Sequence, residues 1–288
     1  MKLDIDKTHI TALGEGLLWD ERVNKLFYVD ILEKKLIAKD FVNATSCIYT
    51  FDEEVCWIQK TKNIDVYAVG LGSGIYLWDI SRKLILRQLY RVASKKLRLN
   101  DSYVDNEGRL WFGTMNKQSD IYSIDGSLFC MKNELALNID IGYSVTNGPV
   151  QCGKKVLHND SLRGITYAYF FDDIQAGVSR KIWRQFDVNI DGLPDGMCVD
   201  SIGDVWIAMW GTGIVCRLNS DGDLIEKKKF PTNLISNVCF CGESLDKLYV
   251  TSATPLAVSK KDAAAGALFS VKIPNIQGVV SNIWDVDV

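Results

Sequence analysis

Pro194-Asp195-Gly196, followed across the turn signal Ile202-Gly203-Asp204 by Val205-Trp206-Ile207-Ala208-Met209, is one copy of a pattern that recurs along this chain. A glycine-flanked polar residue opens the unit, and a strand rich in aromatic and β-branched residues follows after a short gap. Gly14-Glu15-Gly16, Leu99-Asn100-Asp101 and Thr146-Asn147-Gly148 are further openings of the same kind. Asn100 to Asn147 is 47 residues, Asn147 to Asp195 is 48, and Glu15 to Asn100 is 85, room for two units. The strand residues Phe27, Tyr67, Trp111, Leu157, Trp206 and Tyr249 succeed one another at 40, 44, 46, 49 and 43 residues. A period in the forties reads as a radial array of small sheets, in which no repeat buries its own faces and each must stack on its neighbours.

The fold class expected is therefore all-β, a six-bladed β-propeller, with residues 1–288 as a single domain. Seven or eight such units would fill or exceed the chain, and no seventh copy is visible. The segment from Asp4 to Leu13 precedes the first opening and is expected to close the ring as the outermost strand of the last blade, removing a free edge. A two-sheet sandwich competes with this reading but does not require the repeat.

Composition fits one sizeable core: 47% of residues are apolar and 24% are charged. The net charge of −3 is spread along the chain, so no basic stripe points to nucleic acid or an anionic membrane. No stretch approaches a membrane span, and the N-terminal residues lack the apolar core of a signal peptide. The expected location is cytoplasmic, as a monomer or weak oligomer. The eight cysteines (Cys47, Cys56, Cys130, Cys152, Cys198, Cys216, Cys239 and Cys241) form no Cys-x-x-Cys pair and read as buried free thiols.

In a propeller the inner strands line a central channel. The unit openings Glu15, Val55-Cys56-Trp57, Asn100, Asn147, Asp195 and Asn237 would then face one axis. Two carboxylates and several amides in shared phase make a hard oxygen environment for a divalent cation. Taken singly, each of these residues is also a common turn former. The two histidines, His9 in the closing segment and His158 within a strand, offer no Ser-His-Asp triad and no histidine-rich zinc centre. Any hydrolysis here is expected to run on a metal and a carboxylate, which polarise a carbonyl and deprotonate a water.

Gly14-Glu15-Gly16-Leu17-Leu18-Trp19, Arg98-Leu99-Asn100-Asp101, Trp111-Phe112-Gly113-Thr114-Met115, Asn147-Gly148-Pro149 and Pro194-Asp195-Gly196-Met197-Cys198 follow one another along the chain. In that order they resemble the motifs of the senescence-marker-protein (regucalcin)/gluconolactonase family, its Gly-Glu-Gly-Pro opening and its Arg-x-Asn-Asp among them, and the likeness runs from about Leu13 to Val271. The resemblance implies one divalent ion held by Glu15, Asn147 and Asp195, with Asp195 also the general base and with Arg98 and Asn100 contacting a lactone. It implies a sugar-lactone hydrolase acting on aldonolactones such as gluconolactone, xylonolactone or arabinonolactone. The ion's identity stays open among calcium, magnesium, manganese, zinc and iron(II). Hydrolysis of another small electrophile, a phosphotriester or a luciferin-regenerating substrate, is the alternative, as is a calcium-binding propeller without catalysis. Leu17 stands where the family has proline, and Ser102-Tyr103 where it has Gly-Lys. The loop after Met115, Asn116 to Asp120, is short and more like that of the bacterial sugar-acid lactonases.

Overall fold

Alternation of large apolar residues with turn formers such as Asn106-Glu107-Gly108 dictates short strands joined by tight turns. The computed structural model describes residues 2–120, 122–132, 134–172, 174–254 and 262–288. These form six four-stranded antiparallel sheets. Each sheet, or blade, runs outward from an innermost strand: Gly14–Asp20, Val55–Lys60, Leu97–Val104, Thr146–Cys152, Leu193–Val199 and Ile235–Cys241 in blades 1 to 6. Among the described residues no helix is long and apolar enough to cross a membrane.

The ring is legible in the packing. Six apolar clusters each bridge one pair of neighbouring blades, and one of them, around Trp19, Tyr28 and Tyr249, joins blade 6 back to blade 1. Among the described residues no apolar cluster belongs to one blade alone, so burial of apolar surface stabilises the assembled ring. A repeated polar clip sets the first turn of a blade. Asp105 accepts hydrogen bonds from the backbone of Glu107 and Arg109 and from the indole of Trp111 at 2.8 Å. Asp200 does the same for Ile202, Asp204 and the Trp206 indole at 2.9 Å. This explains why an aspartate, a glycine turn and a tryptophan recur at fixed spacing.

Closure follows the expected plan in a shorter segment. Leu3–Asp6 pairs antiparallel with Leu268–Lys272 as the outermost strand of blade 6. The Asp6 carboxylate accepts a hydrogen bond from Lys39 Nζ of blade 1 at 2.6 Å, stapling the seam. His9 and the residues up to Leu13 lie outside that strand. There the chain turns inward because Asp30 captures the backbone N–H groups of Ala12 and Leu13, at 2.7 and 3.1 Å. All eight cysteines are free, but Cys47 is exposed, contrary to the expectation of burial. It sits on the outermost strand of blade 1, Thr45–Thr50, where most positions face solvent.

The C-terminal segment lies outside the repeat and straps the ring. Backbone bonds tie Gln277 to Ser201, Trp284 to Lys60 and Asp285 to Gly108. Residues Val279 to Asn282 line a cavity of about 80 Å³ together with Leu18, Val104, Val150, Val199 and Phe240 of the inner strands. Trp284 is fully buried in the cluster between blades 2 and 3. Trp284→Ala is expected to cost about 3–5 kcal/mol of stability, read as a lowered denaturation midpoint. An unchanged midpoint would show that the strap is not part of the folded core.

Candidate metal centre

Every innermost strand carries a β-bulge near its opening, between Glu15 and Leu18, Val55 and Trp57, Leu99 and Ser102, Asn147 and Val150, Pro194 and Met197, and Ile235 and Val238. A bulge bends its strand and re-aims a side chain, and here six of them act around one axis. Glycine allows the strands to approach. At Gly148, with φ of 54°, a Cβ would lie 2.8 Å from the Asp195 carbonyl oxygen. At Gly16, with φ of 57°, it would lie 2.9 Å from that of Cys56. Neither position tolerates a side chain.

Glu15, Arg98, Asn100, Asn147 and Asp195 all line one cavity of about 220 Å³. Blade 2 contributes no oxygen ligand at its opening. Cys56 is buried, and its thiol donates to the Leu99 carbonyl at 3.0 Å. Glu15, Asn147 and Asp195 are 8%, 5% and 7% exposed. Asn237 Nδ2 donates to Glu15 Oε2 at 3.0 Å, and Asn147 Nδ2 donates to Ser161 Oγ at 2.9 Å. Asn100 Nδ2 donates to Asn147 Oδ1 and to the Thr146 carbonyl. Arg98 donates to Asn100 Oδ1 at 2.7 Å and to the Leu99 carbonyl at 2.8 Å. Asn159 fixes the Asp195 backbone by donating to its carbonyl at 2.6 Å.

The electrostatics of this set are unfavourable for bare carboxylates. Burial, then the charge of Asp101, pushes Glu15 up to about 8. Burial, then the charges of Glu15 and Asp101, holds Asp195 well above the usual carboxylate range. Burial raises Asp101 to about 6, although both its oxygens accept backbone N–H groups, from Ser102 and Gly148, each at 2.7 Å. Asp195 Oδ1 is buried without a hydrogen-bond partner. An orphaned carboxylate oxygen beside a second buried acid and an amide carbonyl fits a hard divalent cation, which would reverse the penalty on the charged forms. Among the described residues no group of three or more His, Cys, Asp and Glu is placed to hold a metal.

His158 takes no part. It is fully buried against the Tyr143 ring and driven down to about 3 by burial, so it stays neutral. Asp101 and Asn237 stand at strand openings without a signal of their own, since nothing in a lone strand tells a ligand from the residue that braces it. Ser161 and Asn159 come from the neighbouring strand and turn of blade 4 and carry no motif signal. In the loop after Met115, Asp120 Oδ1 accepts from the backbone of its own turn, and Ser119 lines the cavity instead.

Fold and site together define a six-bladed propeller with an oxygen-lined pocket at one end of its axis. Residues 13–254 match the family described as SMP-30/Gluconolactonase/LRE-like region, and the chain belongs to that family. It is 29% identical to a 6-deoxy-6-sulfogluconolactonase of Pseudomonas putida over 95% of each chain. It is 27% identical to the pentonolactonase XacC of Haloferax volcanii, covering 84% of this chain and 81% of that one. Among solved structures, the calcium-binding protein regucalcin of Agrobacterium tumefaciens superposes with a TM-score of 0.88 at 21% identity, covering 96% and 95% of the two chains. That last likeness bears on the fold alone.

Glu15→Gln keeps the shape and removes one of the crowded carboxylates. In chelator the variant is expected to melt about 2–4 °C above wild type. A lower melting temperature there would mean that the Glu15 charge is not a burden to the metal-free chain.

Proposed function

We propose that the protein hydrolyses sugar lactones to aldonic acids at a divalent cation held by Glu15, Asn147 and Asp195. One observation carries the reading. The unpartnered Asp195 Oδ1 and the buried Glu15 open into the same cavity as Arg98 and Asn100. Relatives named as lactonases, aligned over most of their length, support the same chemistry.

When bound, a divalent ion supplies Lewis acidity toward a carbonyl oxygen and lowers the pKa of a ligating water. The chain's own groups do the rest. Asp195 accepts a proton as water adds to the lactone carbonyl carbon. The ring carbon–oxygen bond then breaks, and the proton passes to the departing ring oxygen, leaving a hydroxy acid. Arg98 and Asn100, already oriented by their mutual hydrogen bond, hold substrate oxygens in register. Asn237 and Asn159 fix Glu15 and the Asp195 backbone, so the acids are positioned before the substrate arrives. The oxygen set suits calcium, magnesium or manganese and admits zinc or iron(II).

The test is turnover of glucono-, xylono- and arabinonolactone after chelation, with each of these five ions added back. Activity should vanish with chelator and return with at least one ion. Asp195→Asn should lower turnover about 10²-fold or more in the same buffer. Full activity in chelator, or in Asp195→Asn, would contradict the mechanism.

A further inference from the structure

The cavity has two tiers. Its floor is polar, and those polar groups largely satisfy one another. Arg98 is engaged with Asn100 and the Leu99 carbonyl, Asn100 with Asn147 and the Thr146 carbonyl, and Asn147 with Ser161. Above the floor stands a largely apolar collar of Leu13, Ile31, Met115, Leu162, Leu193 and Trp210, with Ser119 its one polar member.

The collar is built by the repeat. Ile31 follows the second strand of blade 1, Met115 lies near the end of that of blade 3, Leu162 follows that of blade 4, and Trp210 ends that of blade 5. The register places it toward the mouth. Trp210 is the cross-strand partner of Leu193, which precedes Asp195 by two residues on an inner strand that begins at the open end. Trp210, Leu162 and Leu193 are only partly buried, so their side chains retain surface for a ligand.

A lactone whose carbonyl lies on the floor must put its distal carbons against this collar. A primary hydroxyl there gives up water and finds aliphatic and indole carbon in its place, at a net cost. A methyl group at the same carbon gains from the contact. We infer that the site selects 6-deoxyaldonolactones, lactones that end in a methyl group, over their 6-hydroxy counterparts. This rests on the lactonase reading above and specifies its substrate class.

The experiment uses two matched pairs, each differing only at carbon 6: L-rhamnono- against L-mannono-1,4-lactone, and L-fucono- against L-galactono-1,4-lactone. With the cation present, kcat/KM for wild type should favour the deoxy member of at least one pair by about tenfold or more, chiefly through KM. Trp210→Ser and Leu162→Ser, on different blades, should each bring that ratio toward one, with thermal midpoints confirming that both variants fold. A wild-type ratio at or below one in both pairs overturns the inference, as does a ratio that survives in both variants. Turnover of pentonolactones with neither pair touched overturns it too. Failure to hydrolyse any lactone with any of the ions removes the lactonase reading itself, which is a separate outcome.

Discussion

Two buried carboxylates, Glu15 and Asp195, share one cavity of this ring, and among the described residues no cationic side chain is bonded to either. Most of the architecture can be read as the means of holding them there. Arg98, a cation lining their cavity, directs its guanidinium to Asn100, the Leu99 carbonyl and the Cys56 sulfur. Burial of unpaired acids is among the more expensive things a fold can do. It persists only where the surroundings over-determine the geometry, and the surroundings here are six bulged inner strands pressed together through Gly16, Gly148 and Gly196.

The energetics of the ring make that possible. Because each apolar cluster belongs to two blades, loosening one blade exposes two interfaces. The seam between first and last blades is the weakest point in principle. It is closed three times over: by the Leu3–Asp6 strand, by the Asp6–Lys39 bond and by the shared cluster around Trp19 and Tyr249. Apart from the seam, the C-terminal strap ties blades 5, 2 and 3 to one another.

Much of this was legible in the sequence because a propeller writes its geometry as a period. The spacing of Phe27, Tyr67, Trp111, Leu157, Trp206 and Tyr249 fixed the blade count, and the phase of Glu15, Asn100, Asn147 and Asp195 put them on one axis. What lacked a repeat was illegible. Nothing marks Trp284 as a core residue until the strap is seen to cross the ring. Nothing marked the closing strand as ending at Asp6, because Asp30, which turns the chain, lies 18 residues from Ala12. Cys47 resembled the other thiols in its local run and was exposed because outermost strands face water. The collar escaped for another reason: Ile31, Met115, Leu162 and Trp210 read as ordinary strand ends, and only radial symmetry gathers them over the floor.

The account depends on a cation being the partner those acids lack, and direct binding measures that. Calorimetric titration of the chelator-treated chain with divalent cations should show one ion per chain, with affinity reduced about 10–100-fold or more in Glu15→Ala and in Asn147→Ala. Absence of binding by every ion tried, or equal affinity in wild type and both variants, would contradict it.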